Sequence, residues 1–164
     1  MFVSVRDYDK RYDNLGITLI RRHTPDGLER LFDQMQEPWC RTLVATDDYH
    51  QIVGYACVDM RVGPKHGDGP RIFALFVAKC CRRLNVGTDL VEAVMKRLWH
   101  EYQPLNAAVH QDAETAQHFF RSLGFHMADV LESTDGKGGK YYDFRYELPR
   151  VSELGGTRVF KRAA

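Results

Sequence analysis

The sequence predicts an α+β fold of three layers: a mixed, mostly antiparallel sheet of six to seven strands with helices on both faces. In the middle of the chain, apolar strand-like segments alternate with amphipathic helices, and such alternation implies one parallel pair of strands. Toward both ends, strand-like segments follow one another across polar turns, which is typical of antiparallel hairpins. The length of 164 residues favours one domain, which we assign to residues 1–150, with a C-terminal tail over 151–164.

The N-terminal third predicts a strand, a helix and a hairpin. The first sixteen residues indicate either a short edge strand over Met1 to Val5 or irregular chain, and "ITLIRR" predicts a strand. The stretch "TPDGLERLFDQMQEP" predicts a helix with Thr24 as N-cap, Pro25 at its first position and an apolar stripe on one face. The β-rich stretches "CRTLVATDD" and "QIVGYACVDMRV" flank the polar turn "DDYH" and predict a hairpin.

The central segment predicts a strand followed by the clearest helix of the chain. After the loop "GPKHGDGP", the apolar run "RIFALFVA" predicts a strand that is covered on both faces. Apolar residues recur at helical spacing through "VGTDLVEAVMKRLWHEY", which predicts a long amphipathic helix. The short run "LNAAVH" predicts the next strand, and the two strands around this helix form the expected parallel pair.

The C-terminal third predicts a helix and a second hairpin. In "DAETAQHFFRSLGF", Asp112 is positioned to cap the start of a helix, and Gly124 can end it with a left-handed backbone. "HMADVLE" and "KYYDFRYEL" predict strands around the polar turn "STDGKGG". The final "VSELGGTRVFKRAA" predicts a mobile tail.

The composition excludes several classes of function. The 23 basic and 22 acidic residues leave a net charge of +1, which gives no electrostatic reason to expect a nucleic-acid or membrane partner. The four cysteines form no Cys-x-x-Cys pair, so we expect free thiols in a reducing compartment, and we expect a cytoplasmic protein. Seven histidines are scattered without ligand spacing, and we therefore predict no metal site.

The stretch "RRLNVG", residues 82–87, connects the apolar strand to the long helix. The first amides of a helix lack internal partners and the helix dipole favours negative charge there, so phosphate groups bind well at such a place. Arg82 and Arg83 add positive charge and donors. This loop is the strongest candidate binding site in the sequence, although many strand-to-helix loops contain arginine and glycine.

Two motifs resemble the GCN5-related N-acetyltransferase (GNAT) family. A strand ending at Val77 precedes Arg82 to Gly87, which is similar to the family loop Gln/Arg-x-x-Gly-x-Gly/Ala except that Asn85 replaces the middle glycine. Asparagine tolerates a left-handed backbone, so the loop shape can survive this change. Downstream, Ala116, Gly124 and Phe125 match a second family pattern in which Ala113 replaces an asparagine and Phe120 a tyrosine. The resemblance covers about residues 17–149 and implies the acyl-CoA N-acyltransferase-like fold.

The resemblance implies an enzyme that moves an acetyl group from acetyl-CoA to a primary amine by direct attack. By resemblance, Leu75, Phe76 and Val77 contact the pantetheine arm and the acetyl carbonyl. The pyrophosphate is then held by the backbone of Arg82, Arg83, Leu84, Asn85, Val86, Gly87 and Thr88. The acceptor amine is a small molecule or a protein, and family members can be homodimers.

Several residues are candidates for moving protons in this reaction. Phe120 stands where relatives have a tyrosine and cannot donate a proton, so Tyr141, Tyr142 or water takes that part, or the thiolate leaves unaided. His110 and Asp112 are the candidates for the base. His110 equally suits a polar strand end and Asp112 a helix N-cap, while Asp59 suits either steering of a cationic amine or a solvent-facing strand position. Two alternatives remain open: a protein of this fold that binds CoA or a protein partner without catalysis, and a transferase of a longer acyl group.

Overall fold

The computed structural model describes residues 2–21, 27–98, 104–132 and 139–147. Within these ranges the chain forms four α-helices and seven strands, with one 3₁₀ turn at Lys79–Cys81. The strands are β1 (Ser4–Asp7), β2 (Cys40–Thr46), β3 (Ile52–Asp59), β4 (Arg71–Val77), β5 (Leu105–His110), β6 (His126–Glu132) and β7 (Lys140–Tyr146). The helices are α1 (Lys10–Ile20), α2 (Leu28–Gln36), α3 (Val86–Leu98) and α4 (Glu114–Ser122).

The sheet is mixed, as predicted, with the strand order β1-β2-β3-β4-β5-β7-β6. β4 and β5 pair in parallel, with Arg71 opposite Asn106, whereas β1–β2, β2–β3, β5–β7 and β6–β7 pair antiparallel. The predicted parallel pair and both predicted hairpins are therefore confirmed. The chain groups into two compact units, one of Met1–Met60 and Ala74–Arg97, the other of Arg61–Phe73 and Leu98–Ala164.

The prediction of a strand at "ITLIRR" is wrong, because residues 17–20 form the second half of helix α1. The helix begins after Asp9, whose side chain accepts a hydrogen bond from the Arg11 backbone N–H at 3.0 Å, as a good N-cap does. Asp13 and Ile17 are its buried residues, and their spacing of four places them on one face. The strand propensity of the β-branched residues is thus outweighed by the stability that the helix gains when it buries one face.

A partly buried ion pair joins α1 to the strand before it. The Asp13 side chain is almost fully buried, and Arg6 of β1 donates to both of its oxygens, at 2.8 and 2.7 Å. The Asp9 backbone N–H donates to Asp13 at 2.6 Å. These bonds satisfy the buried carboxylate, which would otherwise destabilise the folded state.

Helix α2 begins at Leu28, after Gly27 with a φ of 80°. The predicted N-cap Thr24 and Pro25 lie outside the described residues. Leu31 and Met35, two of the residues in the predicted apolar stripe, are buried. The predicted turn "STDGKGG" lies outside the described residues except for its last glycine, and the predicted tail over 151–164 lies entirely outside them.

In the first unit, consecutive residues of β2 and β3 are buried, from Thr42 to Thr46 and from Ile52 to Val58. Successive side chains of a strand point to opposite faces, so both faces of the sheet are covered here. Helix α3 contributes the apolar stripe that its sequence predicts, with the buried residues Val86, Leu90, Val91, Val94 and Met95.

In the second unit, an aromatic cluster forms the core beneath α4. Phe120 stacks near Phe144 with ring centres 6.4 Å apart, and it meets Phe125 edge to face at 5.1 Å. Asn106 is fully buried, and Arg145 reaches it with its Nε at 3.5 Å and also pairs with Asp68. Arg71 and Asp143 form a further ion pair at 3.1 Å, so polar side chains as well as rings tie β4, β5 and β7 together.

Asp112 does not cap helix α4, in contrast to the prediction. The N-cap is Ala113, which makes no side-chain cap, and the Asp112 side chain is 78% exposed. Gly124 ends the helix with a φ of 90°, as predicted. The helix begins one residue later than the sequence suggests, so Ala113 and not Asp112 takes the N-cap position.

Candidate functional site

Strand β4 is much less covered than the neighbouring β3, although its sequence is continuously apolar. Residues 73–77 are all half-buried, and within β4 only Ile72 is fully buried. The prediction that both faces of this strand are covered is therefore wrong for the described protein. An apolar strand that keeps part of its surface accessible offers both main-chain groups and a non-polar wall to a ligand.

The loop after β4 has an unusual backbone at two non-glycine residues. Arg83 has a φ of 67° and Asn85 a φ of 63°, both in the left-handed region. Asn85 thus adopts the conformation that its glycine counterpart in the family pattern would take, which the sequence allowed. The sequence gives no indication of the left-handed conformation at Arg83, because arginine has no preference for it.

Helix α3 starts immediately after this loop. Its first helical hydrogen bond runs from the Asp89 N–H to the Asn85 carbonyl at 2.9 Å. The amides of Val86, Gly87 and Thr88 precede that bond and have no acceptor within the helix. Val86 is buried and anchors this end of α3, so the amides that face the loop are held by a fixed framework.

Gly54 of β3 lets the elements around the site approach closely. A Cβ atom at this position would lie 2.8 Å from the Phe76 carbonyl oxygen, 3.2 Å from Leu90 and 3.3 Å from Val86. The Ala78 N–H also donates to the Val53 carbonyl at 2.8 Å. A glycine is therefore required where β3 meets the end of β4 and the first turns of α3.

Phe76 belongs to an aromatic group that sequence reasoning missed. Its ring stacks on Tyr55 with centres 5.7 Å apart, and the Arg21 guanidinium lies 5.7 Å from the Phe76 ring centre. Arg21 also donates to the Tyr55 hydroxyl at 3.2 Å. Burial raises the pKa of Tyr55, and the nearby Arg21 charge opposes that change. The sequence could not predict this group, because its three residues lie far apart in the chain, on or next to three different elements.

His110 and Asp112 lie together at the end of β5, in the second unit. The Asp112 backbone N–H donates to His110 Nδ1 at 3.2 Å, and the Asp112 carboxylate lies 3.6 Å from the same nitrogen. The proton of the neutral ring is then on Nε2. Tyr141 meets the ring edge to face at 5.1 Å, and Gly139 passes so close that a Cβ there would lie 2.6 Å from Nε2.

A sequence profile described as an acetyltransferase (GNAT) domain matches residues 11–148, most of the chain. The chain belongs to the GNAT acetyltransferase family. It is therefore an N-acetyltransferase by family, and the expected fold and activity class are both confirmed.

Solved GNAT structures share this fold at low sequence identity. The ribosomal-protein-S18-alanine N-acetyltransferase of Escherichia coli superposes with a TM-score of 0.72 at 18% identity, over 90% of this chain and 94% of that one. Arabidopsis thaliana NAA60 in complex with acetyl-CoA gives 0.69 at 15% identity, over 90% and 99%. The NatC complex bound to Gag peptide and CoA gives 0.72 at 14%, over 91% and 100%. A comparison with curated protein sequences returned no significant match.

Two departures from the GNAT pattern lie within and just before α4, and one of them serves the core. Phe120, at the position of the family tyrosine, is 4% exposed within the aromatic cluster, so its ring is a packing element. Ala113 is the uncapped helix start. The other candidate donors, Tyr141 and Tyr142, are half-buried on β7, and Asp59 lies opposite Cys40 at the end of β3.

The described part of this GNAT protein offers neither a metal site nor a membrane-spanning helix. Among the described residues, no group of three or more His, Cys, Asp or Glu side chains is arranged to hold a metal ion. In the same part of the chain, none of the helices is both long and apolar enough to cross a membrane. All four cysteines are free thiols.

Proposed function

We propose that this GNAT protein transfers an acetyl group from acetyl-CoA to a primary amine by direct attack. The observation that carries the proposal is the continuity of strand, loop and helix: the half-exposed β4, the left-handed Arg83 and Asn85, and the first amides of α3, which have no acceptor within the helix. This order supplies a non-polar wall for a pantetheine arm and backbone donors for a diphosphate.

The cofactor roles follow the same order along the chain. In this proposal Leu75, Phe76 and Val77 contact the arm and the acetyl carbonyl. The amides of Arg82, Arg83, Leu84, Asn85, Val86, Gly87 and Thr88 hold the diphosphate. NAA60 is known in complex with acetyl-CoA, and the shared fold supports the same co-substrate for this chain.

The reaction requires one bond to form and one to break. The amine nitrogen attacks the acetyl carbonyl, the C–S bond breaks, and the products are the amide and CoA. A backbone amide near Val77 would stabilise the developing oxyanion. The thiolate can leave unaided, since thiol pKa values lie near ~8.5, or can take a proton from Tyr141, Tyr142 or water.

His110 is the proposed base and Asp112 its partner. Only Nδ1 of the neutral ring can accept a proton, and it does so by releasing the Asp112 amide. The Asp112 carboxylate, 3.6 Å away, would then stabilise the imidazolium. Replacing His110 with alanine should lower turnover, and turnover that stays unchanged across pH would exclude this role.

A second candidate is a GNAT-fold protein that binds CoA or a protein partner without turnover. The buried Phe120 and the uncapped Ala113 favour it, because both family positions have lost their polar side chains. A transferase of a longer acyl group is also consistent with the accessible apolar surface of β4.

The acceptor is an amine on a small molecule or on a protein. Two of the structural neighbours are named for protein or peptide ligands, namely ribosomal protein S18 alanine and a Gag peptide. We therefore include peptide N-termini beside polyamines and amino acids in the acceptor panel. We also propose a cytoplasmic protein, supported by its free thiols, and a homodimer, which native mass spectrometry would test.

Calorimetric titration with acetyl-CoA tests the central proposal. We expect saturable binding, and release of CoA thiol when the correct amine is added. Binding without thiol release across the panel would favour the non-catalytic candidate. A tighter complex with a longer acyl-CoA would favour the alternative acyl donor, and absence of binding at millimolar acetyl-CoA would exclude both enzyme candidates.

A further inference from the structure

Two adjacent thiols lie at the start of the candidate cofactor loop. Cys80 and Cys81 occupy the 3₁₀ turn after β4, and their sulfur atoms are 3.6 Å apart. Cys80 is exposed, whereas Cys81 is 7% exposed. One thiol is thus open to reagents in solution, and the second lies behind it within reach.

The turn that carries these thiols is bonded to the strand before it. The Cys81 N–H donates to the Ala78 carbonyl at 2.8 Å, and the Arg82 N–H donates to the Lys79 carbonyl at 3.4 Å. Arg82 also returns to the strand, since its Nε donates to the Val77 carbonyl at 3.3 Å. The left-handed Arg83 follows directly, so the conformation of the turn sets the direction in which the loop leaves β4.

We propose that Cys80 and Cys81 form a vicinal dithiol that low-molecular-weight disulfides oxidise reversibly, and that this oxidation weakens acetyl-CoA binding by the loop 82–88. The second part rests on the proposed function, whereas the oxidation itself does not.

The oxidation proceeds by two thiol–disulfide exchanges. The Cys80 thiolate attacks a disulfide such as oxidised glutathione, which gives a mixed disulfide and one glutathione thiolate. The Cys81 thiolate then attacks the Cys80 sulfur and displaces the second glutathione. Two protein thiols are oxidised, two glutathione thiols are formed, and the two protein protons pass to the leaving thiolates or to solvent.

Exposure decides which thiol reacts first. Burial, together with the neighbouring Cys80, raises the pKa of the Cys81 thiol to about 11, so few Cys81 thiolates exist near neutral pH. The accessible Cys80 therefore starts the reaction and ring closure by Cys81 is the slower step.

Closing the ring must alter the backbone of the turn. Adjacent Cα atoms are about 3.8 Å apart across a trans peptide, whereas disulfides usually span roughly 4.4–6.8 Å between Cα atoms. The ring is therefore strained. Bond formation also brings the two sulfur atoms from 3.6 Å to about 2.05 Å, and in so small a ring this movement shifts the backbone of the turn and the loop that begins at Arg82. The same mismatch makes the bond easy to reduce, which suits a reversible modification.

Peptide mass and ligand binding test the two parts separately. The full-length protein is incubated with oxidised glutathione, free thiols are alkylated, and chymotryptic cleavage after Phe76 and Leu84 releases the peptide 77–84. We expect this peptide to lose about 2 Da relative to its reduced form and to escape alkylation. The Kd for acetyl-CoA should be at least roughly tenfold higher for the oxidised protein and should return to its original value on reduction. A tenfold change is a usual size for coupling between two sites.

Three variants separate the roles of the individual cysteines in this oxidation. In Cys81→Ser, oxidation should stop at the mixed disulfide between Cys80 and glutathione. In Cys80→Ser, the peptide 77–84 should form neither the mixed disulfide nor the closed disulfide. Cys40→Ser is the matched control, because Cys40 lies on β2, 3.5 Å from the Thr42 hydroxyl, and not in the turn. It should oxidise within the peptide 77–84 as the unmodified protein does.

The dithiol and its coupling to the loop 82–88 can be contradicted independently. A peptide that stays fully alkylated, or that carries only the mixed disulfide, would overturn the vicinal dithiol. A closed disulfide with unchanged acetyl-CoA affinity would overturn its coupling to the loop. If the reduced protein fails to bind acetyl-CoA, the proposed function fails, while the peptide mass still decides the chemistry of the dithiol.

Discussion

At the scale of single residues, the candidate site depends on backbone conformations that most side chains avoid. Asn85 and Arg83 are left-handed, and both lie in the loop between β4 and α3. Such a conformation costs roughly 1–2 kcal/mol for an ordinary L-residue, and the cost is lower for asparagine and absent for glycine. The loop therefore has a required shape, which substitutions at Asn85 can test.

Asn85→Val should weaken acetyl-CoA binding by about tenfold, because a β-branched residue strains the left-handed backbone and displaces the loop amides. Asn85→Gly is the matched control and should bind at least as tightly as the unchanged protein. Calorimetry gives both affinities, and equal binding by the two variants would contradict a role for this conformation.

Phe120→Tyr should not increase turnover, although it recreates the tyrosine of the GNAT pattern. The ring lies within the core near Phe125 and Phe144, so a hydroxyl added there is buried. A buried hydroxyl without a partner costs about 1–3 kcal/mol. We expect a lower free energy of unfolding in urea, and a clear rise in kcat would show instead that the new hydroxyl reaches the leaving thiolate.

Asp9, the N-cap of α1, should titrate with a pKa of about 2, below its ordinary value, because Arg11 donates to it from both side chain and backbone. A lowered pKa means that the charged cap stabilises the fold above pH ~4, and that this contribution is lost as the pH falls toward 2. Carboxylate NMR would measure the midpoint. In Arg11→Ala the midpoint should rise toward the ordinary value, and an unmoved midpoint would rule out Arg11 as the cause.

At the scale of elements, close contact between β3, β4 and α3 positions the loop. The contact is made at Gly54. A Cβ atom on this residue would lie 2.8 Å from the carbonyl oxygen of Phe76. Backbone atoms yield less than side-chain ends, so an added methyl group must move a strand or a helix. The geometry of the site is thus a property of three elements together.

Gly54→Ala should destabilise the protein by about 1–3 kcal/mol and weaken acetyl-CoA binding, since the added Cβ overpacks the contact. Gly16→Ala is the matched control: its Cβ would lie 2.9 Å from Ile52 Cδ1, the end of a side chain, and alanine favours the α1 helix. Urea unfolding of both variants checks the contrast. An equal loss of stability in the two would argue against a special contact at Gly54.

At the scale of the whole molecule, a GNAT fold with a half-exposed apolar strand should gain stability from its ligand. β4 is only partly covered along residues 73–77, whereas β2 and β3 are almost wholly buried. Ligand that binds only the folded state shifts the unfolding equilibrium by mass action. The unoccupied protein is therefore expected to be the less stable form.

Acetyl-CoA at a hundred times its Kd should raise the free energy of unfolding by about 2.7 kcal/mol, seen as a higher Tm. Pantetheine, which lacks the diphosphate, is the control and should give a much smaller shift at the same concentration. Equal shifts from the two compounds would show that the amides at residues 82–88 do not hold the diphosphate.

The sequence by itself determined most of the elements and the place of the loop. Strands β2 to β7 follow from β-rich or apolar stretches between polar turns, and helices α2 to α4 from apolar residues at helical spacing; both are local properties of the chain. The left-handed backbone at Asn85 could also be anticipated, because it depends on one side chain and its place in a motif.

Only the tertiary structure decided the features that depend on distant partners. Residues 17–20 have strand character, yet they form a helix because Arg6 and Asp9 hold the buried Asp13. The accessibility of β4, and the group of Arg21, Tyr55 and Phe76, arise from elements far apart in sequence. Local patterns encode propensity and periodicity, whereas burial and ion pairing are set by what the folded chain brings into contact.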